Sequence, residues 1–185
     1  MRYKPEQKKE TRQKIIDAAG RSFRKSGFNG IGIDGLAKEA GVTSGAFYKH
    51  FPSKKVAFES AVVEGLVEVQ GAIEKMQQQF GAQWWHAFAE FYVTEKRTCG
   101  GEVSCGLQSL TSEVSRGDDS IKSAYENELV KIANIASGDE MSAATEETWA
   151  KLALLVGGVT IARAVNDPVL SEKIAQAIQN SVLFD

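Results

Sequence analysis

Residues 33–55 have the sequence IDGLAKEAGVTSGAFYKHFPSKK and contain two short helical patterns separated by a break. Leu36 and Ala37 place apolar and small groups on one face of a first helix. Gly41 permits the left-handed backbone that a sharp helix end requires, and Thr43 suits the N-cap of a second helix. This spacing is typical of a helix-turn-helix, whose second helix enters the major groove of DNA, but it also fits any αα-hairpin in a helical core.

Charge is distributed unevenly around this stretch, although the net charge of the 185-residue chain is only −2. Residues 1–55 hold 13 Lys and Arg against 5 Asp and Glu, a net of +8, whereas residues 56–185 have a net of −10. A basic segment joined to an acidic one is typical of a head that binds a polyanion. Nucleic acid and an anionic membrane are both polyanions, and the helix-turn-helix spacing favours nucleic acid.

The chain is 43% hydrophobic, which is enough for a sizeable core, and its 3 prolines and few long β-branched runs predict an all-α protein. The lack of export and membrane signals, together with the cysteine count, predicts that it lies in the cytoplasm. Residues 1–30 are charged throughout and lack the apolar core of a secretory signal. The apolar run at 152–165 contains Arg163 and is too short to span a bilayer. We therefore expect no membrane contact, and we expect reduced thiols at Cys99 and Cys105.

Helical periodicity continues through the chain and predicts about nine helices. The longest begins after a capping Ser53 and connects the basic segment to the rest of the chain. Ser137, Gly138 and Asp139 are predicted to end the helix at 118–136, which precedes the last two helices. Besides the helix-turn-helix, the predicted helical segments are 8–26, 54–80, 81–97, 107–115, 118–136, 143–165 and 168–182.

The runs IIDAAGRSFRKSGF at 15–28 and IDGLAKEAGVTSGAFYKHFPSKKVAF at 33–58 resemble the N-terminal domain of TetR/AcrR-type bacterial transcriptional regulators. The resemblance covers roughly the first third of the chain, and the combination AGV-x-x-G-x-x-Y-x-H-F-x-S-K is much more specific than a generic helix-turn-helix. It implies a three-helix DNA-binding head at residues 1–53 and a helical ligand-binding and dimerisation body at residues 54–185.

The resemblance assigns the recognition helix to Ser44–Phe51, with its polar residues near base edges and phosphates. Where the family usually has a hydroxyl residue before the second helix, this chain has Ile31 and Gly32, so we expect Asp34 to cap that helix instead. Lys55 replaces a commonly acidic residue, and a cation there opposes the helix dipole, so it is a candidate extra phosphate contact. The DNA-binding candidates are Thr43, Ser44, Gly45, Ala46, Tyr48, Lys49, His50, Lys54 and Lys55.

An aromatic-rich segment at residues 81–97 indicates either an apolar ligand pocket or an ordinary helical core. Its rings recur at helical spacing, so several of them share one face. The ligand-pocket candidates are Met76, Phe80, Trp84, Phe88, Phe91, Tyr92 and Tyr125.

The last two predicted helices combine apolar residues with small ones that allow close helix approach. The resemblance implies that they pack against their mates in a four-helix dimer interface, and an internal hairpin is the alternative. Arg163 stands in this apolar setting and is expected to pair with an acid, either within the chain or across the dimer interface. The dimer-interface candidates are Trp149, Val156, Thr160, Arg163, Ile174 and Ile178.

These features predict a homodimeric repressor that binds an inverted-repeat operator in double-stranded DNA and is released by a small apolar or aromatic effector. One alternative is a thiol redox regulator that uses Cys99 and Cys105, which flank a glycine-rich turn. The other is an all-helical enzyme, although the sequence shows no nucleophile–base set or phosphate loop. His50 and His86 are the only histidines and lack ligand-spaced partners, so we expect no metal site and no cofactor.

Overall fold

The computed structural model describes residues 5–138 and 144–183, which form α-helices and short helical turns without a strand. The expected all-α fold with about nine helices is confirmed. A π-helical turn, Tyr92–Lys96, continues the helix Trp84–Phe91, and short 3₁₀ turns lie at Gly81–Gln83 and Gly101–Val103. The helices are Pro5–Ser26 (α1), Ile33–Glu39 (α2), Ser44–Tyr48 (α3), Lys54–Phe80 (α4), Trp84–Phe91 (α5), Gly106–Ser115 (α6), Asp119–Ser137 (α7), Glu146–Ala164 (α8) and Pro168–Leu183 (α9).

The first three helices pack around an aromatic core, and the expected capping residues begin α3 and α4. Phe47 and Phe51 are fully buried, and their spacing of four places both on one face of the turn. The hydroxyl of Thr43 accepts from the Ala46 amide, and that of Ser53 accepts from the Val56 amide. Each cap satisfies a donor that the first helical turn leaves free, so the local sequence fixes where both helices begin.

Two details of the helix-turn-helix differ from the sequence expectation. α3 ends at Tyr48 rather than Phe51. Lys49 and His50 continue as a turn, and Phe51 precedes Pro52, a position that disfavours the helical backbone. The expected capping role of Asp34 is wrong. Gly32 is the N-cap of α2 without a side-chain bond, and Asp34 instead accepts a 2.6 Å hydrogen bond from the Ser44 hydroxyl. The carboxylate therefore ties α2 to the start of α3.

α4 connects the two parts of the molecule. Its 27 residues span roughly 40 Å at the α-helical rise. The helix packs against α1 and also against α5 and α6, and α7 contacts it from Lys55 at its start to Gln77 near its end. Its buried stripe, which includes Phe58, Leu66 and Ile73, gives the head and the body one continuous hydrophobic core.

The last two helices form an antiparallel hairpin on the body. Gly158 of α8 makes room for Ile178 of α9, since a Cβ at this glycine would stand 2.3 Å from the Ile178 Cδ1. Gly138 ends α7 in the left-handed conformation, with φ of 77°, as its predicted role in a helix break requires. Two sequence assignments, Asp139 in the break and Ala143 as the first helical residue, lie outside the described residues. No helix in the described ranges is long and apolar enough to cross a membrane.

Candidate nucleic-acid interface and body cavity

The outer face of α3 presents the residues that the sequence assigned to DNA. Gly45, Tyr48 and Lys49 are exposed, and Tyr48 keeps 54% of its surface accessible while its ring packs edge-on against Phe47. Ala46 is half-buried beside them. A short helix with one fully buried aromatic and an open polar face has the form of a recognition helix.

A basic recess lies between α1 and the end of α3. Its volume is about 350 Å³, and Lys8, Thr11, Lys49 and His50 are among its lining residues. The Nδ1 atom of His50 is buried there without a hydrogen-bond partner in the described chain. Burial, and then the positive charges of Lys8, Arg12 and Lys49, hold the pKa of His50 below its usual value. An anion bound in the recess would offset the repulsion between these positive charges and a protonated His50.

The two lysines that begin α4 have partners within the chain. The Lys54 ammonium donates to the carbonyl of Ile31 at 3.1 Å and lies 4.3 Å from the centre of the Phe28 ring. It therefore holds the loop before α2 against the start of α4. Lys55 forms an ion pair with Asp118, the N-cap of α7, so a carboxylate of the body supplies the counter-charge that was expected from phosphate.

The head also meets the body around Arg24, near the end of α1. The guanidinium donates to the backbone carbonyl of Glu102 at 3.2 Å and to the carboxylate of Glu68 at 3.4 Å. Beside it, α4 and α6 touch backbone to backbone, because a Cβ on Gly106 would lie 2.9 Å from the Cα of Gly65. Three helices and the loop before α6 thus converge at one point between head and body.

A cavity of about 140 Å³ opens directly beyond this contact, between α4, α5 with its π-helical turn, and α6. Tyr92 is 3% exposed, and its hydroxyl has no nitrogen or oxygen partner among the described residues, although the Cys105 thiol lies beside it. Burial, the largest influence, raises the pKa of Tyr92 well above its usual value. The lining residues are Gly65, Glu68, Val69, Ala72, Phe88, Phe91, Tyr92, Lys96, Ser104, Cys105 and Gly106.

Three of the seven sequence-predicted pocket residues line this cavity, namely Phe88, Phe91 and Tyr92. The other four lie elsewhere. Helical spacing shows which residues share a face of one helix, but it does not show which other helix packs against that face. Val69, Ala72 and Cys105 were missed, although Val69 lies at helical spacing from Leu66 and Ile73 on the buried face of α4. Among the outlying candidates Phe80 is exposed, Trp84 stacks on Trp85, the Tyr125 hydroxyl pairs with Thr111, and Met76 packs against the core.

The predicted dimer residues divide between the inside and the outside of the α8–α9 hairpin. Ile178 is buried within the protomer, where it fills the space above Gly158, so its assignment to the dimer surface is wrong. Within the described chain the Arg163 guanidinium pairs with no acid and instead donates to the carbonyls of Lys96, Arg97 and Cys99, so an acidic partner across a dimer interface stays a prediction. Those carbonyls end the π-helical turn, so Arg163 caps it.

Other apolar residues of the same hairpin point outward. Trp149 and Thr160 are exposed, whereas Val156 and Ile174 are half-buried. Ile161, which sequence reasoning missed, lies seven residues after the exposed Leu154, and this two-turn spacing was the available signal. The exposed apolar residues of this face are Trp149, Leu154, Ile161, Val169 and Leu170.

Comparison with known proteins bears first on the head. The sequence model of one protein family, the bacterial regulatory proteins of the tetR family, matches residues 15–61. The HTH-type transcriptional regulator LmrA of Bacillus subtilis is 35% identical over 66 residues, which cover 36% of this chain and 34% of LmrA. The matched segment therefore spans about a third of that relative's length.

Solved structures extend the likeness to the body. A TetR-family regulator from Cytophaga hutchinsonii superposes with a TM-score of 0.72 at 18% identity, over 97% of this chain and 96% of its own. One from Agrobacterium tumefaciens reaches 0.76 at 14% identity, over 94% and 98%. Each of these proteins is named as a transcriptional regulator. Residues 15–61 thus match the model of the tetR family of bacterial regulatory proteins, and the described chain has the fold of solved TetR-family regulators.

Proposed function

We propose that the protein is a homodimeric transcriptional repressor that binds an inverted-repeat operator and is released by a small apolar or aromatic effector. Residues 1–53 would bind DNA, and residues 54–185 would bind the effector and dimerise. The observation that carries the proposal is the exposed face of α3 beside a recess lined by Lys8, Lys49 and His50, within a TetR-family domain.

Each head residue has a distinct role in the proposed complex. Gly45 and Ala46 allow close approach to the groove, and Tyr48 supplies a hydroxyl for phosphate and a ring for a thymine methyl. Lys49 and His50 would bind a phosphate in the recess. Thr43 and Ser44 act through the fold, since their hydroxyls cap α3 and bond Asp34. Lys54 would also act mainly by holding the loop before α2, and Lys55 would exchange Asp118 for a phosphate.

Dimerisation would use the exposed apolar face of α8 and α9. Leu154 and Ile161 on α8, with Val169 and Leu170 on α9, form a hydrophobic surface that a second copy could cover. A twofold dimer would place two recognition helices in successive major grooves, roughly 34–36 Å apart. An inverted-repeat operator matches that symmetry.

The body cavity is the proposed effector site because it adjoins the contact between head and body. Glu68 lines the cavity and also pairs with Arg24 of α1, while Gly106 lines it and touches α4. A ligand that displaces either residue would change the orientation of the head. Release from DNA then requires that the ligand bind the reoriented state more tightly than the DNA-bound one.

DNA binding can be tested with genomic fragments selected by the purified protein, using fluorescence anisotropy at several salt concentrations. The logarithm of the affinity should fall steeply and linearly with the logarithm of salt concentration. Lys49→Ala should reduce both the affinity and the salt slope, the latter by about one for each contacted phosphate. Lys75→Ala, an exposed lysine of the body, removes the same charge as a control. A flat salt response would refute the proposal.

The thiol alternative stays a prediction. Cys99 is half-buried with its Sγ 3.5 Å from the carbonyl of Lys96, while Cys105 is buried in the cavity wall. Replacing both cysteines with serine and measuring DNA affinity with and without peroxide tests it. An unchanged response to oxidant in the double variant would dispose of the redox function.

A further inference from the structure

We infer that the body cavity binds an amphipathic monocarboxylate, with its apolar part between α4 and α5 and its carboxylate on the Lys96 ammonium. The inference names the ligand class of the proposed effector site, and its regulatory meaning rests on the proposed function. The binding itself depends on three properties of the cavity: its apolar wall, the ammonium beside that wall and the net charge of the lining.

The wall of the cavity suits an apolar group. Val69 and Ala72 come from α4, Phe88 and Phe91 come from α5, and none of these four side chains carries a polar atom. The cavity is partly open to solvent, so a ligand can bury its apolar part while a polar end stays near the mouth. The removal of apolar surface from water favours this arrangement.

The Lys96 ammonium lies at this wall without a negative partner. It is 5.7 Å from the centre of the Phe91 ring and donates to the carbonyl of Val103 at 3.0 Å. Val103 directly precedes the lining residue Ser104, so the ammonium lies close to two parts of the lining. It forms no ion pair with a carboxylate of the described residues, and the neutral carbonyl uses only one of its three donors. A ligand carboxylate could accept the other donors in charge-assisted hydrogen bonds.

The charge of the surrounding groups favours a ligand with a single negative charge. The Glu68 carboxylate lines the cavity but already pairs with the Arg24 guanidinium at 3.4 Å, and these two charges cancel. Lys96 therefore leaves the group with a net positive charge, to which the N-terminus of α6 adds, since this helix begins at the lining residue Gly106 without a side-chain cap. A monocarboxylate would neutralise the ammonium. A dianion would leave an excess negative charge beside Glu68, and a cation would lack a free carboxylate.

Calorimetric titration of the full chain with three probes of similar shape tests the inference. Phenylacetate carries the carboxylate, phenylacetamide is its neutral counterpart, and phenethylamine carries a positive charge instead. Phenylacetate should bind about tenfold more tightly than the amide, as one charge-assisted hydrogen bond allows, and the amine should bind more weakly than either. No detectable binding of phenylacetate at millimolar concentrations, or equal affinity for phenylacetate and the amide, would overturn the inference.

Variants at Lys96 test where the carboxylate binds. Lys96→Met removes the charge but keeps an apolar stem, so it should bind the amide as the unmodified protein does and lose the preference for phenylacetate. Lys96→Arg keeps the charge and should retain the preference. Lys75→Met removes an exposed lysine of α4 outside the lining, and this matched control should leave the preference unchanged. A preference for phenylacetate that persists in Lys96→Met would contradict the assignment.

A further variant probes the cavity without changing a charge. Ala72→Leu adds volume to the wall and should weaken the binding of phenylacetate and of the amide alike. Unchanged binding of phenylacetate would mean that the anion lies outside the cavity, which refutes the inference. Lys96-dependent binding of phenylacetate that leaves operator affinity unchanged would support the ligand class and refute only the effector function.

Discussion

Replacing Gly106 with alanine is expected to destabilise the folded protein, because the new methyl group would collide with the backbone of α4. The added Cβ would stand 2.9 Å from the Cα of Gly65, 3.2 Å from its carbonyl carbon and 3.3 Å from its oxygen. Carbon atoms in contact prefer separations of about 3.5–4.0 Å. A side chain could rotate away, but backbone atoms cannot, so α6 must shift by about 0.6 Å or more relative to α4.

Overpacking of this kind typically costs about 1–3 kcal/mol. For a chain of this length, each kcal/mol lowers Tm by about 2–4 °C, so Gly106→Ala should lower it by about 2–12 °C. Thermal unfolding followed by circular dichroism at one fixed protein concentration measures the shift, since association would otherwise change Tm. The same variant should weaken the effect of any body ligand on DNA affinity, because the displaced contact adjoins Arg24 and the cavity.

Gly71 provides the matched control on α4. A Cβ there would meet no atom within 4 Å, so Gly71→Ala should gain up to about 1 kcal/mol from helix propensity. Gly71→Ala should therefore raise Tm and Gly106→Ala should lower it, although each substitution adds a single methyl group. If Gly106→Ala unfolds at or above the temperature of the unmodified protein, the close backbone contact does not exist in solution.

Further predictions concern the dimer face, the ion pair at the junction and proton uptake. Ile161→Glu should convert the dimer to monomers in analytical ultracentrifugation, whereas Val130→Glu, on an exposed part of α7, should not. Asp118→Asn keeps an N-cap residue but frees Lys55, so the salt slope of DNA binding should increase by about one per protomer. A phosphate beside His50 should raise its depressed pKa, so the protein should take up protons when it binds DNA. DNA affinity should therefore increase as the pH falls from about 7.5 to about 5.5. His50→Gln should remove this pH dependence.

The same pKa shift has a consequence for the free protein. Because burial holds the pKa of His50 below its unfolded value, the unfolded chain binds the proton more readily than the folded one. Its contribution to stability is therefore present above the unfolded pKa and is lost as the pH falls through the folded value. Chemical denaturation of the protein and of His50→Gln at several pH values should show this difference below about pH 6.5.

The helix-turn-helix could be predicted from the sequence because its determinants are local. Thr43 and Ser53 cap the helices that follow them, Gly41 adopts a positive φ, and Phe47 is buried by helical spacing. Each of these features depends on neighbours within about four residues. Pro52 also carried a local signal that α3 must stop early, and the longer predicted helix neglected it.

The polar contacts were predicted poorly because their partners lie far along the chain. Lys55 pairs with Asp118 across 63 positions, and Arg163 reaches the carbonyl of Lys96 across 67. Spacing shows that a charge occupies an apolar face but does not show which group compensates it. For the same reason the cavity could be placed only in part: Tyr92 was a candidate, but its missing hydrogen-bond partner is a property of the fold.

The brevity of α3 limits how the DNA preference of this protein could be redesigned. Of its five residues, Phe47 belongs to the core and Ser44 bonds Asp34, so substituting either would disturb the head itself. Gly45, Ala46 and Tyr48 remain, and the first two have no side-chain donor or acceptor for a base edge. A library restricted to these three positions would sample most of the sequence preferences that this helix can encode without loss of folding, and new polar side chains at positions 45 and 46 could add direct base contacts.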